Sequence, residues 1–174
     1  MKFIELLEIA FDGNKSRDLE FLTAELFETI YGLKSELLGG PRIPDVIAFT
    51  DNFGLIIDTK AYKFGYQKSI TQEDQMVRYI EDNIIRSSER NPAEWWLKFH
   101  ESIPPKAYYF LWISGRFADN FPKQLQATHE RTGAFGGALN VEQLLLGADA
   151  VMKSQLDVRR MTSYFLNKEI IWIN

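Results

Sequence analysis

The 174-residue sequence contains no cysteine and only two histidines. Disulfide bonds and cysteine-ligated zinc are therefore excluded, and the composition fits a reducing compartment. No apolar run approaches the roughly 20 residues that a membrane-spanning helix needs. Glu5 and Glu8 interrupt the first apolar stretch, which excludes a signal-peptide core. We therefore expect a soluble, cytoplasmic protein with no membrane contact.

Runs of positive charge are missing as well. Twenty Lys and Arg residues stand against 24 Asp and Glu, for a net charge of −4, and the longest basic pairing is Arg159-Arg160. Proteins that hold nucleic acid by themselves usually carry a basic patch, because neutralising phosphates supplies most of the affinity. If this chain acts on nucleic acid, another protein element must hold the substrate.

Hydrophobic residues make up 45% of the chain and aromatic residues 14%, as expected of a globular protein with a real core. The length favours one domain over residues 1–174. Apolar periodicity predicts helices at 3–11, 16–32 (capped by Ser16), 71–86 (capped by Thr71), 121–131, 142–153 and 158–166. Apolar runs predict strands at 46–50, 55–57, 107–114, 138–141 and 170–173. This order indicates an α/β fold, with a mixed β-sheet flanked by helices on both faces.

A short hairpin carries the most informative residues. Val46–Thr50 and Leu55–Ile57 read as two strands joined by a turn. Folding about that turn places Asp45 beside Asp58 and Lys60. Side chains alternate along a strand, so Asp58 and Lys60 share one face while the side chain of Thr59 is expected to point away. Two carboxylates and an ammonium then converge at one end of the sheet, where they can bind a divalent metal and activate a water.

The alternative interpretation of this trio is a structural ion-pair cluster. Against it, Asp45 and Asp58 are embedded in apolar runs, where a charge is costly unless it is paired or bound to metal. Two carboxylates about 4 Å apart repel by about 4 kcal/mol at an effective dielectric near 20, and a divalent cation removes that penalty.

Outside the hairpin, Glu20 lies at the flank of the apolar stripe of its helix. It could reach the metal site as an additional acid, although the residues alone favour an ordinary surface position. Asp74 and Arg78 are spaced as an i,i+4 pair away from the apolar stripe of their helix. They form either a weak intrahelical pair or part of a subunit interface. His100 and His129 are not spaced as metal ligands.

Asp45, Asp58 and Lys60, with Pro44 before the first acid, match the PD-(D/E)xK nuclease pattern. The surrounding sequence is more specific and resembles the cleavage domain of FokI-like type IIS restriction endonucleases from about Ile4 to Ile173. The segments that carry this resemblance are Leu38–Asp45, Asp58–Tyr62, Gln72–Tyr79, Asn91–Trp96, Ser114–Phe117 and Val141–Leu145. Val46 departs from the family, which often has glycine after the first acid.

The resemblance implies a restriction-endonuclease-like fold and a Mg²⁺-dependent endonuclease acting on double-stranded DNA. Asp45 and Asp58 would ligate the metal with the main-chain carbonyl of Thr59, and Lys60 would orient or activate the attacking water. Glu20 matches an acid in the family's first helix, which favours a role near the metal. Asp74 and Arg78 match the family's dimerisation helix, where such a pair crosses between subunits.

FokI-like enzymes join this nuclease to a separate recognition module, and we expect no such module within these 174 residues. The expectation is a free-standing small catalytic subunit of a heterodimeric type IIS enzyme, whose larger subunit recognises DNA and nicks one strand. An excised cleavage domain of a fused enzyme is one alternative. A structure-selective repair or resolvase-type nuclease and a non-catalytic assembly subunit are the others.

Overall fold

The computed structural model describes residues 2–67 and 70–172, and for Ile70 the backbone alone. Its centre is a six-stranded sheet whose spatial order follows the chain. The strands are β1 (Lys34–Leu37), β2 (Val46–Phe49), β3 (Gly54–Lys60), β4 (Tyr108–Ser114), β5 (Gly136–Asn140) and β6 (Lys168–Glu169). β1, β2 and β3 pair antiparallel, whereas β3 to β6 pair parallel. The expected mixed sheet is confirmed.

Helices cover both faces of this sheet. They are α1 (Leu6–Ile9), α2 (Ser16–Thr29), α3 (Ile70–Ile85), α4 (Phe121–Thr132) and α5 (Val141–Met152), with 3₁₀ helices at Lys2–Glu5, Gly13–Lys15, Trp95–Lys98 and Val158–Tyr164. The α1, α2 and α5 side packs on Leu55 and Ile57 of β3, and the α3 and α4 side packs on Ile56. Strand alternation thus separates the core into two layers.

The central strands are buried as their unbroken apolar sequences predict. β2 is buried throughout, and β4 is buried from Phe110 to Ser114. The side chains of Trp95 and Trp96 are almost fully buried in the layer of the core between the sheet and the α3 and α4 side. α4 ends at Gly133, whose φ of +76° is the left-handed conformation that glycine adopts at helix ends.

Several predicted boundaries are wrong. Ser16 is the first residue of α2, since the 3₁₀ turn before it runs into the helix and is capped by the carboxylate of Asp12. α3 already includes Ile70, so Thr71 lies inside the helix. The N-terminal helix at 3–11 divides into a 3₁₀ turn and the short α1, and 158–164 is a 3₁₀ helix.

The sheet edges also differ from the prediction. β1 was not anticipated, because Lys34–Leu37 is a partly exposed edge strand without an apolar run. The last strand lies at Lys168–Glu169 rather than 170–173, and residue 173 lies outside the described range. Ile170 and Trp172 instead bury their side chains in the core. None of the helices in the described ranges is long and apolar enough to cross a membrane, and the cytoplasmic location stays a prediction.

Candidate active site

The hairpin register brings the three charged residues together. β2 and β3 pair so that Val46 lies opposite Ile57, which puts Asp45 and Asp58 at the next facing position. Lys60 Nζ lies 2.5 Å from Asp58 Oδ2, a contact with the distance of an ion pair but not the angles of a hydrogen bond. The side chain of Asp58 is 4% exposed and that of Lys60 is 22% exposed. The group therefore sits at the edge of the core, reachable from solvent through Lys60.

Thr59 orients Asp45. The main-chain N–H of Thr59 donates to Asp45 Oδ2 at 2.8 Å, and its hydroxyl donates to the same oxygen at 3.3 Å. The expectation that the Thr59 side chain points away from the group is therefore wrong. Asp45 precedes β2, so its carboxylate is free to turn around the strand end towards the side chain of Thr59.

The loop before Asp45 is held at several points. Gly39 and Gly40 have φ values of +104° and +129°, which L side chains rarely adopt. The N–H of Leu38 donates to the Asp45 carbonyl at 2.9 Å. Asn91 Nδ2 donates to the Arg42 carbonyl at 2.9 Å. These contacts fix the chain that delivers the first acid.

Trp112 supports the lysine from β4. It pairs in register with Asp58 across the parallel β3–β4 ladder. Lys60 Nζ lies 5.6 Å from the centroid of the Trp112 ring. An ammonium over an indole face is attracted by the negative face of the ring. The buried tryptophan therefore helps to place the ammonium beside Asp58.

Glu20 comes from α2 to the same site. Together with Asp45, Thr59 and Lys60 it lines a cavity of about 460 Å³. It forms an ion pair with Arg17. Burial and the charge of Asp45 raise the pKa of Glu20, against the opposing effects of Arg17 and Lys60. The structure thus places this acid at the cavity rather than on a remote surface.

The electrostatics of the site are those of a crowded set of acids with one cation. Burial raises the pKa of Asp58 to about 7, the charge of Asp45 adds to this, and Lys60 opposes it. Burial lowers the pKa of Lys60, but the carboxylates of Asp58 and Asp45 outweigh it, so the pKa is raised overall. Lys60 is therefore an ammonium donor at neutral pH.

The donor set suits a small hard cation. Carboxylate and carbonyl oxygens are what Mg²⁺ prefers, and Mg²⁺ commonly binds through one or two carboxylates while keeping several waters. Asp58 presents a buried oxygen that contacts the Lys60 ammonium without a hydrogen bond, and its pKa stays raised because Lys60 offsets the cost of burying this charge only in part. Within residues 2–67 and 70–172, no three acidic or histidine side chains are grouped to hold a metal by themselves. Asp45 and Asp58 are therefore the two fitting side chains, with Glu20 further out.

Sequence reasoning missed two residues at this site. Tyr66 lines the cavity and is buried, and its ring lies 5.6 Å from that of Trp112. The tyrosine follows Lys60 in a loop, and only a fold that turns this loop back over the strand end brings it near. Trp112 lies in a continuous apolar strand, which the sequence marks only as core.

Asp74 and Arg78 lie on α3. Asp74 Oδ1 accepts a hydrogen bond from Arg131 of α4 at 2.8 Å, so the proposed i,i+4 partnership with Arg78 is replaced by a contact between helices. Arg78 is exposed and lines a cavity of about 290 Å³ with Arg42 and Arg90.

The two histidines lie elsewhere. His100 is exposed and contacts Ser102. His129 Nδ1 lies 2.9 Å from the Ala134 carbonyl at the end of α4. Neither contact involves a residue of the candidate active site.

Comparison with known proteins gives a consistent result. A family model described as "FokI, cleavage domain" matches residues 1–171. The chain belongs to the FokI cleavage-domain family. The type II restriction enzyme FokI of Planomicrobium okeanokoites is 38% identical over 173 residues, which cover 97% of this chain and 30% of that protein. The type II restriction enzyme StsI of Streptococcus sanguinis is 29% identical over 156 residues, covering 90% of this chain and 25% of StsI.

The fold of the FokI cleavage-domain family is matched in three dimensions too. A solved structure of restriction endonuclease FokI superimposes with a TM-score of 0.93 and 37% identity, over 98% of this chain and 31% of that one. The structure of FokI bound to DNA gives the same TM-score over 30% of its chain. The chain thus spans less than a third of the length of these relatives, and the restriction-endonuclease-like fold is confirmed.

Proposed function

We propose that residues 1–174 form a single nuclease domain that cleaves double-stranded DNA with Mg²⁺, as the cutting component of a type IIS restriction endonuclease. The observation that carries this proposal is the convergence of Asp45, Asp58 and Lys60 at one end of the sheet, in a member of the FokI cleavage-domain family. The relatives named type II restriction enzymes support the same assignment.

Asp45, Asp58 and the main-chain carbonyl of Thr59 would hold the metal. When bound, the divalent cation would neutralise charge on the scissile phosphate and favour ionisation of the attacking water. In the hydrolysis, the water oxygen bonds to phosphorus and loses a proton to solvent as the bond to the 3′-oxygen breaks, and the leaving 3′-oxygen takes up a proton from solvent. Lys60, held by Asp58 and Trp112, donates hydrogen bonds that orient the water and stabilise charge on the phosphate.

Glu20 acts in this proposal through its position at the cavity rim. Its carboxylate would accept a hydrogen bond from water near the metal and would add negative charge that favours cation binding. Glu20→Gln should raise the Mg²⁺ concentration for half-maximal cleavage several-fold while the maximal rate changes less. Equal Mg²⁺ requirements in the two proteins would restrict Glu20 to its ion pair with Arg17.

Sequence recognition is proposed to come from outside these residues, in a larger subunit that also nicks the second strand. The support is the net charge of −4, which disfavours tight binding to DNA by this domain alone. The isolated domain should bind specific and random duplexes equally weakly at the same salt. A marked preference for one duplex would show that the domain reads sequence itself.

Co-purification from the native host identifies the source of recognition. A separate larger polypeptide that restores site-specific double-strand cleavage supports the heterodimer. If the recognition module instead lies on the same polypeptide, this chain is the cleavage domain of a fused enzyme. Preference for junctions or flaps over linear duplex would favour the structure-selective alternative.

Arg78 is exposed, and the side chain of Asp74 is 48% exposed although it pairs with Arg131, so both can face a second catalytic domain. Each site cuts one strand, so a double-strand break needs two sites. In a two-fold or pseudo-two-fold pairing of like helices, an acid and an arginine one turn apart each meet their opposite on the partner.

The central experiment measures nicking of supercoiled plasmid by the purified chain with Mg²⁺ or with EDTA. Asp45→Ala, Asp58→Ala and Lys60→Ala should each abolish Mg²⁺-dependent nicking. Asp51→Asn is the matched control, because Asp51 is an exposed acid at the other end of the same hairpin. Full activity in any of the three site variants would overturn the assignment, and a wild type that stays inactive even at saturating enzyme would favour a non-catalytic assembly subunit.

A further inference from the structure

A buried tyrosine hydroxyl lies unpaired beside the candidate active site. Tyr66 is 3% exposed, and its Oη finds no hydrogen-bond partner among the protein groups that the structure describes. Tyr66 lines the same cavity as Asp45 and Lys60. A hydroxyl withdrawn from solvent usually has a partner, because leaving it unpaired is unfavourable. This exception at a functional cavity calls for a specific explanation.

The ring of Tyr66 is held from several sides. It lies 5.6 Å from the ring of Trp112, 5.6 Å from that of Phe121 and 6.3 Å from that of Phe117, centroid to centroid. The backbone is fixed as well, since the N–H of Tyr66 donates to the Arg116 carbonyl at 2.7 Å and its carbonyl accepts from the Ala118 N–H at 3.0 Å. The hydroxyl is therefore preorganised and has little freedom to turn away.

The hydroxyl keeps its proton. Burial raises the pKa of Tyr66, and the charges of Asp58 and Asp45 raise it further. The neutral hydroxyl is therefore available as a donor. A phenolate nucleophile is disfavoured at this position for the same reason.

We propose that Tyr66 is a catalytic residue that donates a hydrogen bond from Oη to a non-bridging oxygen of the scissile phosphate. The inference rests on the proposed endonuclease function. No proton is transferred, since the hydroxyl retains its hydrogen throughout. Negative charge on the phosphate oxygens is redistributed as water attacks, and a donor on a ring that is fixed in place stabilises that charge. The substrate thereby supplies the acceptor that the protein does not.

Tyr66→Phe removes the hydroxyl and keeps the packed ring. Tyr31→Phe is the matched control, because Tyr31 is equally buried, lies in the opposite layer of the core and donates to the Leu144 carbonyl at 2.8 Å. Single-turnover plasmid nicking at saturating enzyme and Mg²⁺ is measured for both variants, together with the melting temperature in EDTA.

Tyr66→Phe should lower the maximal rate by about ten- to a hundredfold, with a melting temperature that is equal or higher. This loss is smaller than the roughly hundred- to thousandfold for a donor to a developing oxyanion, because the phosphate oxygens already carry charge before the attack. Tyr31→Phe should show the reverse, with a rate within about twofold of wild type and a lower melting temperature. A full rate in Tyr66→Phe beside an active wild type overturns the inference alone. A melting temperature as low as that of Tyr31→Phe also overturns it, because the hydroxyl would then have a partner within the folded protein. A wild type without Mg²⁺-dependent nicking overturns the proposed function and the inference together.

A second measurement tests the acceptor. Once the cleavage position on a duplex is mapped, a single phosphorothioate diastereomer is placed there. Sulfur is a weaker acceptor than oxygen, so in one diastereomer wild type should lose more rate than Tyr66→Phe does. Equal fold-losses in the two proteins for both diastereomers would show that Oη does not contact the phosphate.

Discussion

Thr59 and Asp45 are joined through one carboxylate oxygen, Asp45 Oδ2, which accepts the main-chain N–H of Thr59 at 2.8 Å and its hydroxyl at 3.3 Å. Because Thr59 directly follows Asp58, the backbone that carries the second acid also orients the first. The relative position of the two carboxylates therefore depends mainly on the backbone of β3, and only secondarily on side-chain packing.

Thr59→Val separates these two contacts. Valine keeps the shape and the main-chain N–H but loses the longer hydroxyl contact, so the carboxylate stays in place with one donor fewer. A well-formed hydrogen bond to a carboxylate contributes about 1.5 to 3 kcal/mol. This one is long, at 3.3 Å, so single-turnover cleavage should fall by about tenfold or less. Asp45→Asn, measured alongside, should abolish cleavage. A loss in Thr59→Val as deep as in Asp45→Asn would mean that the hydroxyl, and not the backbone, orients Asp45.

Asp58→Asn should uncouple activity from stability. The variant loses a carboxylate at the site, so Mg²⁺-dependent cleavage should disappear. In EDTA its melting temperature should hold or rise, because a buried charge is replaced by a neutral amide of similar shape. Differential scanning fluorimetry with and without Mg²⁺ gives the comparison, and the Mg²⁺-induced shift should be lost. A melting temperature well below wild type in EDTA would show that the ion pair with Lys60 stabilises the fold.

The stability of the metal-free protein should depend on pH through Asp58. Its folded pKa is about 7, against an ordinary value of 3.8. Between these values the folded state binds more protons than the unfolded state, so the free energy of unfolding should decrease as pH rises from about 4 to about 7. Above 7, this residue adds no further slope.

Urea unfolding in EDTA at several pH values measures that dependence. Asp58→Asn is the control, and most of the decrease in the free energy of unfolding with pH should be absent from it. The raised pKa of Glu20 acts in the same direction, so a smaller decrease should remain in the variant. An unfolding free energy that increased across this range in wild type, with the variant unchanged, would contradict the assignment of the slope to Asp58.

Asp74→Arg tests the proposed subunit interface. In a two-fold pairing the new arginine would face Arg78 of the second domain, and like charges at an interface cost several kcal/mol. Double-strand cleavage at low enzyme concentration should fall, while nicking by the partner continues. A charge-swapped partner should restore it.

The substitution also breaks the ion pair between Asp74 and Arg131 within this chain. Arg131→Ala is therefore the matched control, since it removes the same internal contact without adding positive charge to α3. Double-strand cleavage should be preserved in Arg131→Ala. Equal losses in the two variants would assign the effect to the α3–α4 contact and not to an interface.

Local sequence was sufficient for the hairpin and for the buried β4. Alternation along β3 predicts that Asp58 and Lys60 share a face, and an antiparallel turn predicts that Asp45 faces them. These relations depend on residues close in sequence, so backbone geometry settles them before any long-range packing is known. The same is true of the stop of α4 at Gly133.

The contacts between residues that are distant in sequence depended on the tertiary structure. Glu20 reaches the cavity because α2 packs across the sheet, and Tyr66 reaches it because its loop turns back over the strand end. Asp74 pairs with Arg131 because α4 lies beside α3. The polar edge strand β1 has too little apolar patterning to be predicted from its own sequence, and it is recognised as a strand only by its pairing with β2. Sequence by itself therefore determined which charges share the end of one hairpin. Only the packing of separate elements decided what surrounds those charges, because such contacts depend on how helices and loops fill the space around the sheet.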